Sequence, residues 1–214
     1  MKNLLLSATL ILSCSSMLAQ APAVVPSQVH TNSIGFSYIL PADWEVVDMQ
    51  ASYPAIRDKV VKEADNPDEK LGASCSQPAI TARHGNPVSI LIVMVVPFSC
   101  IGMEISTKDL PEFGSGVSTG LKKSFDLSPD SVRGLYSLGT HSLWIERTKG
   151  ALKSNPGMKY TVETACSNLK KGAVCWMVMA ADDATLGVIE HGAVTLESDA
   201  AAALVPANAF AIKP

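Results

Sequence analysis

The sequence predicts an α+β domain, in which helices pack on an antiparallel β-sheet. Two observations carry this prediction. Strand-like segments near the N-terminus are interrupted by helical patterns, and from residue 131 onward strand-like segments follow one another directly, as in an antiparallel meander. The regular strand–helix alternation and glycine-rich first turn of a doubly wound nucleotide-binding fold do not occur in the pattern.

The first 21 residues predict a cleavable export signal. Lys2 precedes a short apolar run, Leu4–Leu12, and small residues then lead to Ala19 and Ala21, which is the layout of a secretory signal. The apolar run is about half as long as the ~20 residues of a membrane-spanning helix. We expect cleavage after Ala19, because Pro22 disfavours cleavage after Ala21.

The composition of the chain divides it into three parts. Residues 1–21 are assigned to the signal peptide, residues 22–30 to a flexible leader and residues 31–214 to a single α+β domain. An alternative treats Ile11–Cys14 as a bacterial lipobox, in which Cys14 is lipidated and becomes the mature N-terminus. Leu12 is large for that motif, and the signal would be short. Both N-termini stay open.

Net charge argues against a nucleic-acid partner, and hydropathy argues against a membrane-spanning segment outside the signal. The net charge is −3, and the only adjacent basic residues are Lys122–Lys123 and Lys170–Lys171, so a nucleic-acid partner is not expected. Outside the signal, the apolar run Ile90–Pro97 is too short to cross a bilayer and suits a strand covered on both faces. We therefore expect a secreted or periplasmic protein without a transmembrane segment in its mature chain.

Four cysteines in the expected domain predict two disulfide bonds. Cys166 and Cys175 fall opposite each other if Leu169–Gly172 is a four-residue hairpin loop with Gly172 in the left-handed conformation. Cys75 and Cys100 then pair by elimination, across a second hairpin that turns at His84–Pro87. Reduced thiols or zinc ligands are the alternative, but the chain has no Cys-x-x-Cys spacing.

The first half of the domain predicts two strand pairs and one helix. Asn32–Pro41 and Trp44–Val47 are expected to pair with each other. A helix should open at Tyr53 and end near Asp65, with an apolar stripe formed by Ile56, Val60, Val61 and Ala64. A charged link, Asp65–Gly72, should follow, and then two more strands, Ser76–Thr81 and a central Val88–Val96.

The second half predicts one helix and a run of strands. Apolar residues recur at helical spacing from Leu110 to Phe125, although Pro111 and three glycines weaken that pattern. The expected strands are Val132–Leu138, Ser142–Thr148, Met158–Cys166 and Val174–Ala181, with a loop at Asn155–Gly157. Asp182–Ile189 suits either a capped helix or a strand. Asp199–Leu204 is alanine-rich and predicts a helix.

The segment Gly35–Trp44 resembles the opening strands of the Mog1/PsbP-like family, with an aromatic strand, then a proline and a tryptophan. The resemblance implies an α/β/α sandwich with an antiparallel sheet between helices. Members of that family include a partner of a small GTPase and extrinsic subunits of photosystem II, so it also implies a noncatalytic binding or assembly role. The family shares no catalytic constellation, and no functional residue is transferred.

Gly116–Gly120 matches the Gly-x-Ser-x-Gly nucleophile elbow of serine hydrolases. Ser118 would be the nucleophile, followed by Asp182 or Asp183 and by His191 in the usual order. An elbow needs a strand before the serine, whereas Lys108–Ser115 predicts a helix or a loop. The competing explanation is that these glycines let a helix pack closely.

The remaining candidate residues favour structural roles. His30, His84, His141 and His191 are far apart and predict surface or loop positions, with a binding role left open for His141. Asp65, Asp68 and Glu69 lack the ordered spacing of a calcium loop. Trp44, Trp144 and Trp176 are expected mainly in the core, although a ligand cleft is the alternative. No metal or cofactor is expected.

Together these observations favour an exported, noncatalytic binding or assembly module of the cell envelope or extracellular space. Its partner would be a protein or a small molecule. The first alternative is a serine hydrolase that uses Ser118, and the second is a lipidated envelope protein anchored through Cys14.

Overall fold

The computed structural model describes residues 28–197 and 202–204. The predicted signal, Cys14 and residues 22–27 of the predicted leader lie outside the described residues. Strand β1 (Gln28–Thr31) begins inside the predicted leader, so residues 28–30 belong to a strand.

The other elements follow in chain order. The further strands are β2 Phe36–Leu40, β3 Glu45–Val46, β4 Gln77–His84, β5 Ser89–Pro97, β6 Phe125–Leu138, β7 His141–Leu152, β8 Asn155–Asn168, β9 Gly172–Ala180, β10 Ala193–Leu196 and β11 Ala202–Ala203. The helices are α1 Tyr53–Glu63, α2 Pro67–Cys75, α3 Phe98–Ile101, α4 Leu110–Leu121 and α5 Asp183–Glu190.

The strands form two antiparallel sheets. The large sheet has seven strands in the order β3-β4-β5-β9-β8-β7-β6, and the small sheet has four in the order β1-β2-β10-β11. Every pair of neighbouring strands is antiparallel. The structure thus confirms the predicted α+β class, and β5 lies inside the large sheet, as its apolar sequence predicts.

Successive strand residues point to opposite faces of the large sheet, so its two faces have different coverings. On one face, Leu143, Ile145 and Trp176 join a continuous core with the small sheet and with Leu186 and Ile189 of α5. On the other face, Trp144 packs with residues of α3 and α4. Helices thus lie on both faces, as the resemblance implied, and the small sheet packs beside α5 on one of them.

Helix α4 lies close to the sheet because a glycine faces the largest side chain beneath it. An ideal Cβ at Gly114 would lie 2.2 Å from Cε3 of Trp144, and the ring therefore occupies the place of a side chain. No atom comes within 4 Å of such a Cβ at Gly116 or Gly120. Close packing therefore depends on Gly114, and the two glycines of the Gly-x-Ser-x-Gly motif face open space.

One expectation for the N-terminal half, the pairing of its first two strand segments, is wrong. Strands β2 and β3 do not pair with each other, because β2 pairs with β1 and β10 in the small sheet while β3 pairs with β4 in the large one. Helix α1 forms as predicted; of its apolar stripe only Ala64, the C-cap residue, is buried, and Ile56 and Val60 are exposed.

The segment predicted as a charged link is largely helix α2. Asn66 caps this helix by accepting a hydrogen bond from the backbone N–H of Glu69 at 2.8 Å, and Glu69 Oε2 accepts one from the N–H of Asp65, also at 2.8 Å. Pro67 occupies the first turn. The pattern Asn-Pro-x-Glu is thus a helix start, because each of these residue types suits its position in a capping arrangement.

Two turns also differ from expectation. Strands β7 and β8 are joined at Lys153–Ser154, and the predicted loop Asn155–Gly157 begins β8. Gly172 does not have a positive φ angle. It is needed instead because a Cβ there would lie 2.7 Å from the carbonyl oxygen of Val96 on the neighbouring strand.

The alanine-rich segment 199–204 is not helical where the structure describes it. Ala202 and Ala203 form β11, which pairs with β10, and Leu204 is fully buried in the main core. Burial of an apolar side chain and a strand ladder therefore outweigh the helix propensity of alanine.

Two disulfide bonds join elements within the described residues. Cys166 on β8 is bonded to the directly opposite Cys175 on β9, with 4.2 Å between their Cα atoms. Cys75 at the end of α2 is bonded to Cys100 in α3. Both pairs are those named from the sequence. In the described part of the chain, no helix combines the length and apolar character needed to cross a membrane.

Candidate functional site

Ser118 lies in the interior of α4 and not in a strand-to-helix turn. Its side chain follows Leu110 and Gly114 along the buried stripe of that helix. The residue is 7% exposed, and its Oγ has no hydrogen-bond partner. A buried hydroxyl without a partner is energetically unfavourable, so this serine stands out even though it is not at an elbow.

The residues proposed as its catalytic partners lie on the other face of the large sheet. Asp182 caps α5 by accepting a hydrogen bond from the N–H of Thr185 at 2.7 Å. His191 ends the same helix, with Nδ1 2.7 Å from the carbonyl oxygen of Gly187. Helices α4 and α5 pack on opposite faces, so the sheet separates Ser118 from both groups. The hydrolase hypothesis therefore fails on geometry.

Beneath the C-terminal half of α4 is a cleft of about 430 Å³. We call it the α4 cleft, and define it by these lining residues: Ser115, Ser118, Thr119, Leu121, Lys122, Leu127, Ser128, Pro129, Ser131, Arg133, Glu146, Thr148, Val162 and Thr164. Half of them carry a hydroxyl group. Its volume lies within the ~300–1,000 Å³ range of small-molecule sites.

Small residues on α4 create the space for this cleft. The inward positions of the helix change from Leu110 to Gly114 and then Ser118, so the helix approaches the sheet but does not fill the space under its end. A leucine at position 118 would occupy that space. The floor is formed by β7 and β8 through Glu146, Thr148, Val162 and Thr164.

A bulge in the edge strand β6 forms the outer wall of the cleft. The register of β6 with β7 shifts between Leu127 and Ser131, at Ser128–Asp130. Thr148 Oγ1 lies 3.1 Å from the carbonyl oxygens of both Ser128 and Asp130 and donates toward them. This hydroxyl holds the bulged segment against the sheet, and Ser128 and Pro129 line the cleft.

Three charged groups surround the cleft without neutralising one another. Arg133 on β6 is directly opposite Glu146 on β7, and Lys122 is the C-cap residue of α4. Within the described ranges, none of these three side chains has an ion-pair partner within 4.0 Å. Arg133 and Glu146 were missed in the sequence, although their opposition follows from the short turn at Gly139–Thr140 that joins β6 to β7.

The opposite face holds a second polar cluster, which is buried. Arg147 donates to Glu163 Oε2 at 2.9 Å and also pairs with Glu190 of α5. Glu163 is fully buried, and its Oε1 has no hydrogen-bond partner. Burial raises the pKa of Glu163 to about 7, although the neighbouring Arg147 acts to lower it. This cluster joins α5 to the large sheet, and its carboxylates are already engaged by Arg147.

A larger cleft, of about 800 Å³, lies where β7 and β8 meet the start of α5. Three of its polar side chains are engaged with one another. Lys149 Nζ lies 3.0 Å from Asp183 Oδ1 and 2.6 Å from Thr161 Oγ1, and Thr161 donates to Asp183 at 2.9 Å. Asp126 and Lys159 also line this cleft, but unlike the α4 cleft it is lined, among the residues described, by no buried side-chain group without a hydrogen-bond partner.

The histidines make local contacts within the fold. His84 stacks on Trp44 with ring centroids 5.5 Å apart, and the Nε2 of His141 lies 3.7 Å from a carboxylate oxygen of Glu197. His30 lies in β1, where burial lowers its pKa, and its Nε2 lacks a hydrogen-bond partner. The side chains of His30 and His141 are thus partly or mostly buried, unlike the surface positions expected.

The tryptophans and the acidic segment also have structural roles. Trp44, Trp144 and Trp176 are all buried, and none lines the α4 cleft. Glu69 is engaged by the ammonium group of Lys123 at 2.5 Å. In residues 28–197 and 202–204, no group of three or more His, Cys, Asp or Glu side chains is arranged to hold a metal ion.

The described residues thus define an α+β protein with two antiparallel sheets and a polar cleft between a helix and the edge of the larger sheet. No protein-family model matches the chain, and no curated protein matches it.

Two solved structures are similar to this chain. One is the solution structure of cyanobacterial PsbP (CyanoP) from Synechocystis, at 11% identity and a TM-score of 0.44, covering 80% of this chain and 91% of that one. The other is the crystal structure of LpqN, involved in cell envelope biogenesis of Mycobacterium tuberculosis, at 15% identity and a TM-score of 0.39, covering 76% and 77%. These values do not assign a family, so membership of the Mog1/PsbP-like family stays a prediction.

Proposed function

We propose that this chain is an exported, noncatalytic binding module of the cell envelope or extracellular space, and that it binds a small polar molecule in the α4 cleft. One observation carries the proposal: Ser118 presents a buried hydroxyl without a partner at a cleft lined by hydroxyl groups and unpaired charges. A ligand that donates to or accepts from Ser118 would satisfy this group.

The role of Ser118 in this proposal is to bind and not to react. A nucleophilic serine needs a base within hydrogen-bond distance of its hydroxyl. Ser118 Oγ has no such partner, and none of the histidines lines the cleft. The hydroxyl groups and charges around it suit recognition of a polar ligand by hydrogen bonds.

The test is a binding screen with the exported, disulfide-bonded protein and a library of small polar metabolites. We expect at least one saturable ligand, measured by titration calorimetry. Ser131→Trp should abolish its binding, because residue 131 lines the cleft. Ser137→Trp is the matched control, since Ser137 is an exposed residue of the same strand and the same face, outside the cleft.

A second blocking variant protects the test against a folding defect. Thr119→Trp approaches the cleft from α4, where Thr119 is exposed. Binding that survives both blocking variants while their circular dichroism matches the parent protein would refute the α4 cleft as the site. So would a complete lack of saturable ligands.

Export and the N-terminus are tested by intact mass, with and without reduction. We expect a mature chain that begins at Gln20 and resists thiol alkylation until it is reduced. A mature chain that begins at Cys14 and carries acyl groups would instead establish a lipid anchor. Free thiols before reduction would contradict the argument from disulfides to an oxidising compartment.

A further inference from the structure

The unpaired charges of the α4 cleft specify a class of ligand. We infer that the cleft binds an amino dicarboxylate, a small molecule with two carboxylates and one ammonium group, of the glutamate or aspartate type. This inference rests on the proposed function and deepens it. Two independent features support it: the arrangement of Lys122, Arg133 and Glu146, and the buried hydroxyl of Ser118.

The positions of the charges come from the sheet register. Arg133 and Glu146 are neighbours across two strands on the face beneath α4, and Thr164 continues the same row on β8. Directly opposite residues in an antiparallel pair lie close enough for their side chains to interact. Arg133 and Glu146 nevertheless form no ion pair within 4.0 Å, so each head group is available to a ligand.

The carboxylate of Glu146 argues against a ligand that is only anionic. A phosphate, a sulfate or a simple dicarboxylate would meet the two cations but would be repelled by Glu146. An ammonium group on the ligand converts that repulsion into attraction. Two cations and one anion on the protein are thus complemented by two anions and one cation on the ligand.

The hydroxyl groups supply the remaining contacts. Ser118 comes from α4, Ser131 from β6 and Thr164 from β8, so hydroxyls approach the cleft from three elements. Each can donate to a carboxylate oxygen, and the guanidinium of Arg133 can bind a carboxylate through two parallel hydrogen bonds. Charge-assisted bonds of this kind favour a compact charged ligand over a neutral sugar.

The experiment is titration calorimetry of the exported, disulfide-bonded protein with L-glutamate, L-aspartate, glutarate and L-glutamine. Glutarate lacks the ammonium group, and glutamine lacks one carboxylate. We expect L-glutamate or L-aspartate to bind at least tenfold more tightly than glutarate and than glutamine. Equal affinity for glutamate and glutarate would overturn the inference, because the ammonium group would then contribute nothing.

Two conservative variants test which charged residue of the cleft binds which group of the ligand. Glu146→Gln should remove the preference for glutamate over glutarate, and Arg133→Gln should weaken both by at least tenfold. Glu112→Gln is the control, because Glu112 is exposed on α4 and lies outside the cleft. An unchanged preference in Glu146→Gln would contradict the assignment, provided that the variant unfolds at the same urea concentration as the parent.

The outcome separates this inference from the proposed function. If the cleft binds another polar molecule, and Ser131→Trp abolishes that binding while amino dicarboxylates do not bind, the ligand class is wrong but the binding module stands. If no polar molecule binds saturably, both are wrong.

Discussion

The two faces of the large sheet are built from the same strands but differ in how they are filled. The face toward the small sheet and α5 has one continuous apolar core around Trp176. The face toward α4 has two smaller apolar clusters, one around Trp144 and one around Phe125 and Tyr160. The α4 cleft lies between them, bounded by Val162 and Leu121. A single sheet thus separates a face that supplies stability from a face that leaves space for a ligand.

The largest expected change in stability concerns the face of the large sheet that packs against the small sheet and α5. Trp176→Ala should lower the free energy of unfolding by about 3–5 kcal/mol, because it removes a fully buried indole and leaves a cavity. Urea unfolding followed by circular dichroism measures this loss. Folded Trp176→Ala protein should keep the ligand affinity of the parent, since Trp176 faces away from the cleft. A loss below about 1 kcal/mol would contradict the central role of this core.

The buried cluster on the same face should make stability depend on pH. The pKa of Glu163 is raised from its ordinary 4.5 to about 7, so between those values the folded chain holds a proton that the unfolded chain has lost. The contribution of Glu163 to stability should therefore be greatest below about pH 4.5 and fall as the pH rises toward 7, by up to about 3 kcal/mol. Glu163→Gln should flatten this part of the profile, measured by urea unfolding at several pH values.

Glu45→Gln is the control for this prediction. The pKa of Glu45 is lowered by its hydrogen bond with Arg83, so its contribution has the opposite sign and is lost as the pH falls. The decrease in stability toward pH 7 should therefore persist in Glu45→Gln. A Glu163→Gln profile parallel to that of the parent would contradict the assignment to Glu163.

On the α4 face, the distance of the helix from the sheet is open to a direct test. Gly114→Ala should destabilise the protein by about 1–3 kcal/mol, because the added Cβ collides with Trp144 and displaces α4. Gly116→Ala adds the same methyl group where nothing lies within 4 Å, and should be neutral or stabilise by up to about 1 kcal/mol. Similar effects of the two variants on the midpoint of thermal unfolding would rule out close packing at Gly114.

The smallest expected change in stability is that of Ser118→Ala, and its sign shows whether the hydroxyl lacks a structural partner. Ser118→Ala should stabilise the free protein by about 1 kcal/mol, because it removes a buried hydroxyl without a partner and adds a good helix former. The same change should weaken ligand binding. Thermal unfolding and calorimetry on one sample measure both effects, with Ser154→Ala in an exposed turn as the control. A loss of stability would mean that the hydroxyl has a structural partner.

The parts of the fold that the sequence predicted are those with local causes. The apolar run of β5, the meander from β7 to β9 and the helical spacing of α4 each lie within one continuous segment. The opposition of Cys166 and Cys175 likewise follows from a short connection between neighbouring strands. The start of α2 at Asn66–Pro67 was also local, and its capping pattern could have been recognised.

The parts that were missed depend on distant partners. The separation of β2 and β3 into two sheets is decided by β10 and β4, which lie far along the chain. Strand β11 forms because Leu204 reaches the core, although its sequence favours a helix. The candidate site shares this difficulty. Ser118 was noticed for a catalytic motif, whereas most of the other cleft residues come from β6, β7 and β8, which only the packing of α4 on the sheet brings next to it.

Because the hydroxyl of Thr148 holds the bulge, the shape of the cleft wall can change independently of the rest of the fold. The ladder between β6 and β7 resumes at Ser131 whatever the residues of the bulge contribute to the cleft wall. Substitutions or short insertions at Ser128–Asp130 can therefore reshape that wall while the strands, the core and the disulfides keep their places. Such a site lets related chains exchange one ligand for another through a few residues, much as loops vary on a conserved scaffold.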